Sequence, residues 1–213
     1  GYFKLEVIKK IAANEIKQHT AVPVTLCFII YILVFVLFGI VELKREIVLM
    51  IVENFLPLMG IILISPCFEY EMDLGINYIV RSKSTSILVI YLIRLFLRIF
   101  AYEVLTILFI WFLERTDSYV EMGLYIFQSL SIGLVLGAIG FFAFGVSLSL
   151  IGSYLVPIIY YMVNWMSKFK NLGVFYLFRL RQGLEPKIGL NILLSIFLIV
   201  IGLYFKEYRD KYS

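Results

Sequence analysis

The sequence predicts an all-α membrane protein with six transmembrane helices, an N-terminal amphipathic interfacial helix and a short cytosolic helix between helices two and three. Of its 213 residues, 62% are hydrophobic and only 16% are charged. The mean hydropathy is +0.97, whereas about half of a soluble domain is apolar. At roughly 20 residues per crossing, six crossings take about 120 residues. We therefore expect one transmembrane domain over residues 1–213.

The first element is an amphipathic helix over residues 1–20. Apolar side chains recur there at spacings of three and four residues, and lysines occupy the other positions. This pattern is typical of a helix that lies in the membrane interface. It either anchors the N-terminus only or forms a docking surface for a cytosolic partner.

Helices one and two are predicted within residues 21–65. The 24 residues between Lys17 and Glu42 carry no formal charge, which is enough for one crossing. The run from Ile47 to Ser65 contains one acid, Glu53, and one proline, which a membrane helix tolerates when its neighbours satisfy the freed carbonyl group.

Helices three to five are predicted within residues 87–166. The third lies in the apolar stretch from Ser84 to Leu113. From Met122 to Ser167, 46 residues carry no formal charge, and one helix of that length would measure about 69 Å, twice what a bilayer needs. Glycine and serine between residues 144 and 152 favour a break there. We expect helix four over 122–143 and helix five over 146–166.

Helix six follows the 167–187 segment and is predicted over residues 188–205, within a last portion that runs to residue 213. Six crossings place both termini on one side of the membrane. If both termini are cytoplasmic, the outer segments carry eight Lys and Arg residues and the inner segments carry nine. The positive-inside rule favours this orientation. The nine inner residues are Lys4, Lys9, Lys10, Lys17, Arg81, Lys83, Lys206, Arg209 and Lys211. In this orientation residues 167–187 lie outside the cell, and we call them the outer segment. We expect a multi-pass protein of the cell membrane.

Residues 66–86, which we call the elbow, are predicted to contain a short cytosolic helix. Pro66 suits the first helical position, acids follow it, and Arg81 and Lys83 come last, so that the charges complement the helix dipole. Phe68 and Met72 lie one turn apart on an apolar face. Such a helix could pack on its own bundle or insert into a partner.

The elbow resembles the intracellular elbow of the type-two (ABC-2) ABC exporter permeases. The resemblance lies in the run Pro66-Cys67-Phe68-Glu69-Tyr70-Glu71, in Gly75, and in Arg81-Ser82-Lys83-Ser84 before the third crossing. It implies a six-helix permease subunit that binds a separate cytosolic ABC ATPase, which carries the ATP and Mg, while this chain binds no cofactor. It also implies a dimer with an identical or a paralogous permease. The residues expected to couple to the ATPase are Phe68, Glu69, Glu71, Met72 and Gly75. A solvated connector with no partner is the alternative.

Charged residues inside the predicted crossings have two interpretations. An ionisable group in the bilayer core costs about 2.5 to 3.5 kcal/mol on insertion scales, so it faces protein or water by default. Glu103 and Glu53 could therefore line a translocation path. Alternatively, Glu53 reaches the outer surface while Arg94 and Arg98 extend to lipid headgroups. We favour the second interpretation for Glu53 and the two arginines, and both stay open for Glu103.

Two further sets of residues are candidates for packing and gating. Gly133, Gly137 and Gly140 form a stripe of small residues that predicts close helix packing or a dimer contact. In the outer segment, three aromatic residues stand beside arginines, and the resembled family places short re-entrant helices of an outer gate at this position. The candidate gate residues are Phe175, Tyr176 and Phe178; a membrane-interface aromatic belt is the alternative.

The motifs of other function classes are missing from the sequence. It contains no G-x-x-x-x-G-K-[ST], no H-E-x-x-H and no G-x-S-x-G, and His19 is its only histidine. We expect a non-catalytic subunit that contacts membrane lipid, binds no nucleic acid, and exports an amphipathic peptide, a lipid or a hydrophobic small molecule. A proton-coupled secondary transporter and a non-transport membrane scaffold are the alternatives.

Overall fold

The computed structural model describes residues 21–39, 41–67, 87–166 and 172–212. The predicted interfacial helix and the elbow residues Phe68, Glu69, Glu71, Met72 and Gly75 lie outside these ranges. Every regular element within them is helical, with six main helices: α1 Ala21–Phe38, α2 Arg45–Cys67, α3 Ile87–Arg115, α4 Met122–Ser147, α5 Leu150–Met166 and α6 Ile188–Tyr212.

The length and composition of these helices define a membrane protein. Within the described ranges, five helices are long and apolar enough to cross a bilayer, namely α1, α2, α3, α4 and α6. α5 is also apolar but has 17 residues, about 25 Å at the helical rise. The chain is therefore an all-α, multi-pass membrane protein.

α4 is the central helix of the bundle. In its most apolar stretch of 18 residues, 78% of the residues are buried, compared with 22% in the same stretch of α1 and 17% in that of α6. α6 packs along α4, and α2, α3 and α5 also contact it. α1 lies against α3, where the Tyr31 hydroxyl donates to the Leu105 carbonyl at 2.5 Å and the Phe35 ring stacks on Phe109.

Glycines bring α4 into close contact with its neighbours. A Cβ atom on Gly60 of α2 would overlap the backbone of Gly133. A Cβ atom on Gly137 would lie 2.7 Å from the Ile64 Cβ, and one on Gly140 would overlap the Ser65 side chain. The predicted stripe is thus covered by helices of the same chain, and a dimer would have to form through another face.

We call the end of the bundle that carries the outer segment the outer end. Two connecting loops are hydrogen-bonded to each other there. The Glu42 amide donates to the Thr116 carbonyl at 3.0 Å, and the Tyr119 amide donates to the Leu43 carbonyl at 3.1 Å. These bonds tie the α1–α2 connection to the α3–α4 connection. At the opposite end, here called the elbow end, α2 finishes at Cys67 and α3 begins at Ile87.

The break between α4 and α5 lies within the predicted 144–152 region. Leu148 has a left-handed φ of 53°, and its amide donates to the Phe144 carbonyl at 2.8 Å. The Ser149 amide donates to the Ser147 hydroxyl at 3.2 Å, so that the last turn of α4 is satisfied locally. α4 therefore extends four residues further than the predicted limit of 143, and α5 starts at Leu150 rather than at residue 146.

Candidate functional site: a buried carboxylate and the outer segment

The outer segment inserts into the bundle instead of covering its surface. Its described part, residues 172–187, contains two 3-10 helices, Gly173–Phe175 and Leu180–Gln182, joined by four residues without regular structure. All four joining residues, 176–179, are buried, with exposures between 2% and 8%. Polar backbone at such a depth is tolerated when protein groups satisfy it. The hydrogen-bond partners of this segment therefore define the site.

The main partner of the segment is Glu53, which lies in a π-helical turn of α2, Ile51–Phe55. Its side chain is 0% exposed. One carboxylate oxygen accepts from the Leu180 amide at 2.9 Å and from Gln128 Nε2 at 2.8 Å, and the other accepts from the Arg181 amide at 3.0 Å. The segment thus directs two backbone N–H donors from the start of a 3-10 helix at a buried carboxylate, a charge-assisted arrangement.

The π turn explains how α2 presents this carboxylate. The Leu56 amide donates to the carbonyl of Ile51, five residues earlier, at 3.0 Å. Pro57 follows immediately and contributes no N–H donor of its own. Single π turns within α-helices are frequent at functional sites.

A second set of hydrogen bonds fixes the segment to α5. The Leu177 amide donates to Asn164 Oδ1 at 2.9 Å, and the Tyr160 hydroxyl donates to the Phe175 carbonyl at 2.7 Å. Asn164 Nδ2 donates to the Tyr160 carbonyl at 3.0 Å, which orients the amide. Gln128 Nε2 of α4 also contacts the Leu177 carbonyl, at 3.2 Å. Three helices, α2, α4 and α5, therefore hold the segment.

Two of the three predicted gate aromatics lie in the interior. The Phe178 ring meets Tyr161 of α5 edge to face, with centroids 5.6 Å apart, and Tyr176 lies beside it at 6.1 Å. Gln182 Nε2 donates to the Tyr176 hydroxyl at 2.7 Å. Burial, and secondly the negative charge of Glu53, raise the pKa of the Tyr176 phenol above its ordinary value of 10.0. The third predicted residue, Phe175, is 59% exposed and takes no part in this contact.

The expectation that Glu53 reaches the outer surface is wrong, because the backbone donors of the outer segment come to the carboxylate.

The sequence reasoning also overlooked Gln128 and Asn164, although a signal was available. Both are strongly polar residues within the charge-free 122–167 run, and amides inside membrane helices commonly bond across helices. The pairing of these amides with a segment elsewhere in the chain was not readable from the sequence.

The expectation that Arg94 and Arg98 extend to lipid headgroups is also wrong. Arg94 is 5% exposed and donates to the Cys67 carbonyl at 2.8 Å, while Arg98 is 0% exposed and donates to the Leu63 carbonyl at 3.1 Å. Both acceptors belong to the last turns of α2, where the helix dipole favours cations, and the Cys67 carbonyl is one of the last four, which lack a partner within the helix. The two arginines thus cap α2 and bind it to α3 beside the elbow.

Glu103 lies apart from the buried site. It is exposed on the outward surface of α3, in the same region as Phe96 and Phe100, which are 70% and 54% exposed. The structure does not bring it together with Glu53, so the two carboxylates do not line one path inside this chain.

The fold and the site define an all-α, multi-pass membrane protein whose outer segment is sealed into the bundle around one buried carboxylate. Comparison of the chain with protein-family models, with curated proteins and with solved structures returns no match.

Proposed function

We propose that the chain is the permease subunit of an ATP-binding cassette exporter, powered by a separate cytosolic ATPase. The observation that supports this proposal is the outer segment between α5 and α6, which enters the bundle at the position where the resembled exporter family has re-entrant gate helices. In this proposal α5 also crosses the membrane, which brings the number of crossings to six. Both termini are cytoplasmic, and the protein resides in the cell membrane.

The buried site would act as the closed outer gate. Opening it requires the loss of the two hydrogen bonds that the outer segment donates to Glu53, and the exposure of residues 176–179. Because a buried carboxylate that loses its donors is costly, the closed state holds until work is done on it. Tyr176 and Phe178 would form the apolar part of the seal.

α2 would carry that work from the ATPase to the gate. Its elbow end leads into the coupling residues, and Glu53 lies 14 residues from Cys67, about 21 Å along the helix. Arg94 and Arg98 attach this end of α2 to α3. A push on the elbow would therefore move α2 and α3 together and shift Glu53 relative to the outer segment.

The proposed assembly contains two permease chains, identical or paralogous, and ATPase subunits that bind ATP and Mg. Many apolar side chains of α1, α3, α5 and α6 point outward and are available for lipid or for the second permease. The proposed cargo is an amphipathic peptide, a lipid or a hydrophobic small molecule, because such molecules partition into the apolar surroundings of the bundle.

Affinity purification from native membranes tests the proposal. We expect an ATPase chain to co-purify and hydrolyse ATP, and Glu69→Lys and Gly75→Trp to abolish its recovery through charge reversal and added bulk in the elbow. Glu185→Lys, an equal charge change in the outer segment, is the matched control and should retain the ATPase. Full recovery in both elbow variants would contradict the coupling assignment.

Transport assays separate the alternatives. Cargo movement that follows a proton gradient without ATP would indicate a secondary transporter, and an unchanged phenotype after loss of ATP turnover would indicate a scaffold. A buried Glu103 could carry protons in a secondary transporter, but Glu103 is exposed on α3.

A further inference from the structure

A cleft opens at the outer end between α2 and the outer segment. Its volume is about 430 Å³. This is far more than the roughly 30 Å³ of one water molecule and falls within the range of ligand pockets. Its lining residues come from the first turns of α2 and from the second 3-10 helix: Glu46, Ile47, Leu49, Met50 and Arg181.

The lining combines one acid, one base and an apolar wall. Glu46 and Arg181 are both exposed, and within the described ranges neither joins an ion pair, since the one such pair found there links Arg45 to Glu121. Both side chains are therefore within reach of a ligand in the cleft, and the Arg181 charge also acts on the buried Glu53 carboxylate. Ile47 and Met50 are half-buried beside them and supply apolar contact.

Arg181 is held in place by the buried site. Its backbone amide is bonded to Glu53 at 3.0 Å, so the start of its side chain is fixed relative to α2. Glu46 is in turn fixed by the first helical turn of α2, which packs against the Leu180–Gln182 helix. The two opposite charges thus stand on a rigid frame before any ligand arrives.

We propose that this cleft binds the zwitterionic headgroup of an ethanolamine phospholipid. The phosphate would contact the Arg181 guanidinium, and the ammonium would donate to the Glu46 carboxylate. α2 begins at Arg45, and if it crosses the bilayer its first turns would stand at the level of the lipid headgroups. The apolar wall would receive the upper part of the acyl chains. This site does not depend on the proposed transport function.

The pair of charges sets the lipid specificity. A choline headgroup carries no N–H donor for Glu46, and a glycerol headgroup carries no cation. We therefore expect ethanolamine lipid to be retained over both phosphatidylcholine and phosphatidylglycerol. Loss of one charge-assisted contact of about 1.4 kcal/mol corresponds to a tenfold change in binding.

Native mass spectrometry of the full chain tests this proposal, after equilibration with nanodiscs that contain equal amounts of phosphatidylethanolamine, phosphatidylcholine and phosphatidylglycerol. We expect preferential retention of phosphatidylethanolamine, reduced about tenfold in Glu46→Gln and in Arg181→Gln. The controls Glu114→Gln and Arg115→Gln remove exposed charges of the same kinds at the end of α3, and they should retain the lipid as the unchanged chain does.

Equal retention of the three lipids would overturn the proposal, as would retention unaffected by either cleft substitution. A preference for phosphatidylglycerol that depends on Arg181 alone would show a simple anion site and would also overturn it. If a cleft variant fails to fold, competition on the unchanged chain decides. Soluble glycerophosphoethanolamine should displace the bound lipid and glycerophosphocholine should not, and equal displacement by the two would contradict the assignment.

Discussion

At the scale of single residues, the central feature is a carboxylate that is fully buried and accepts three hydrogen bonds. Glu53 receives two of them from the backbone of the outer segment and one from Gln128. A buried polar group costs free energy unless it is satisfied, so this residue and the segment stabilise each other. The sequence revealed an acid in an apolar run but could not reveal its donors, which lie 75 to 128 residues away along the chain.

Glu53→Gln should lower the free energy of unfolding by about 1.5 to 3 kcal/mol, the range for hydrogen bonds to charged groups. The amide keeps the shape of the side chain but turns one NH2 group toward the existing N–H donors. Thermal unfolding in detergent measures the change. Glu103→Gln is the matched control, because Glu103 is exposed, and it should unfold close to the unchanged protein. Equal unfolding of the two variants would contradict the role of Glu53.

Asn164→Leu should release the outer segment from α5. The substitution removes the acceptor of the Leu177 amide and leaves that buried donor unpaired, at a cost of about 1 to 3 kcal/mol. Hydrogen exchange at Leu177 should become faster, whereas Tyr31, whose contact lies between α1 and α3, provides an unaffected reference region. Unchanged protection of Leu177 would show that Asn164 does not hold the segment.

At the scale of helices, most of the elements could be predicted from the sequence, because a bilayer requires long apolar helices. A crossing needs about 20 apolar residues, so apolar runs located the helices, and the glycine and serine content between residues 144 and 152 located the break. The same rule could not show that the outer segment inserts, because insertion depends on partners from three helices. Nor could it decide between headgroups and α2 carbonyls as the partners of Arg94 and Arg98.

The contact between α3 and α4 gives the prediction at this scale. Gly133→Ala should destabilise the bundle by about 1 to 3 kcal/mol, the cost of overpacking, because its Cβ would overlap the Tyr102 side chain. Gly189→Ala in α6 meets no atom within 4 Å and should be neutral or stabilising by up to about 1 kcal/mol. Thermal unfolding of both variants checks this contrast, and a stable Gly133→Ala protein would show that the contact is looser than described.

At the scale of the whole molecule, labelling of the outer segment measures the orientation of the protein in the membrane. Phe175→Cys places a thiol at a position that is 59% exposed, in a background where the free, buried Cys27 and Cys67 are replaced by alanine. An impermeant thiol reagent added to intact cells should label it if the segment is extracellular. Labelling only after the membrane is opened would reverse the proposed orientation.

The central claim is that ATP turnover on a partner chain opens the seal around Glu53, and thiol labelling of Leu177→Cys tests it most directly. Leu177 is 2% exposed in the closed arrangement, so labelling should be slow while the ATPase is idle. The account predicts that labelling becomes faster during ATP hydrolysis and slow again when the ATPase is inactivated. A labelling rate that is the same with and without ATP turnover would contradict it.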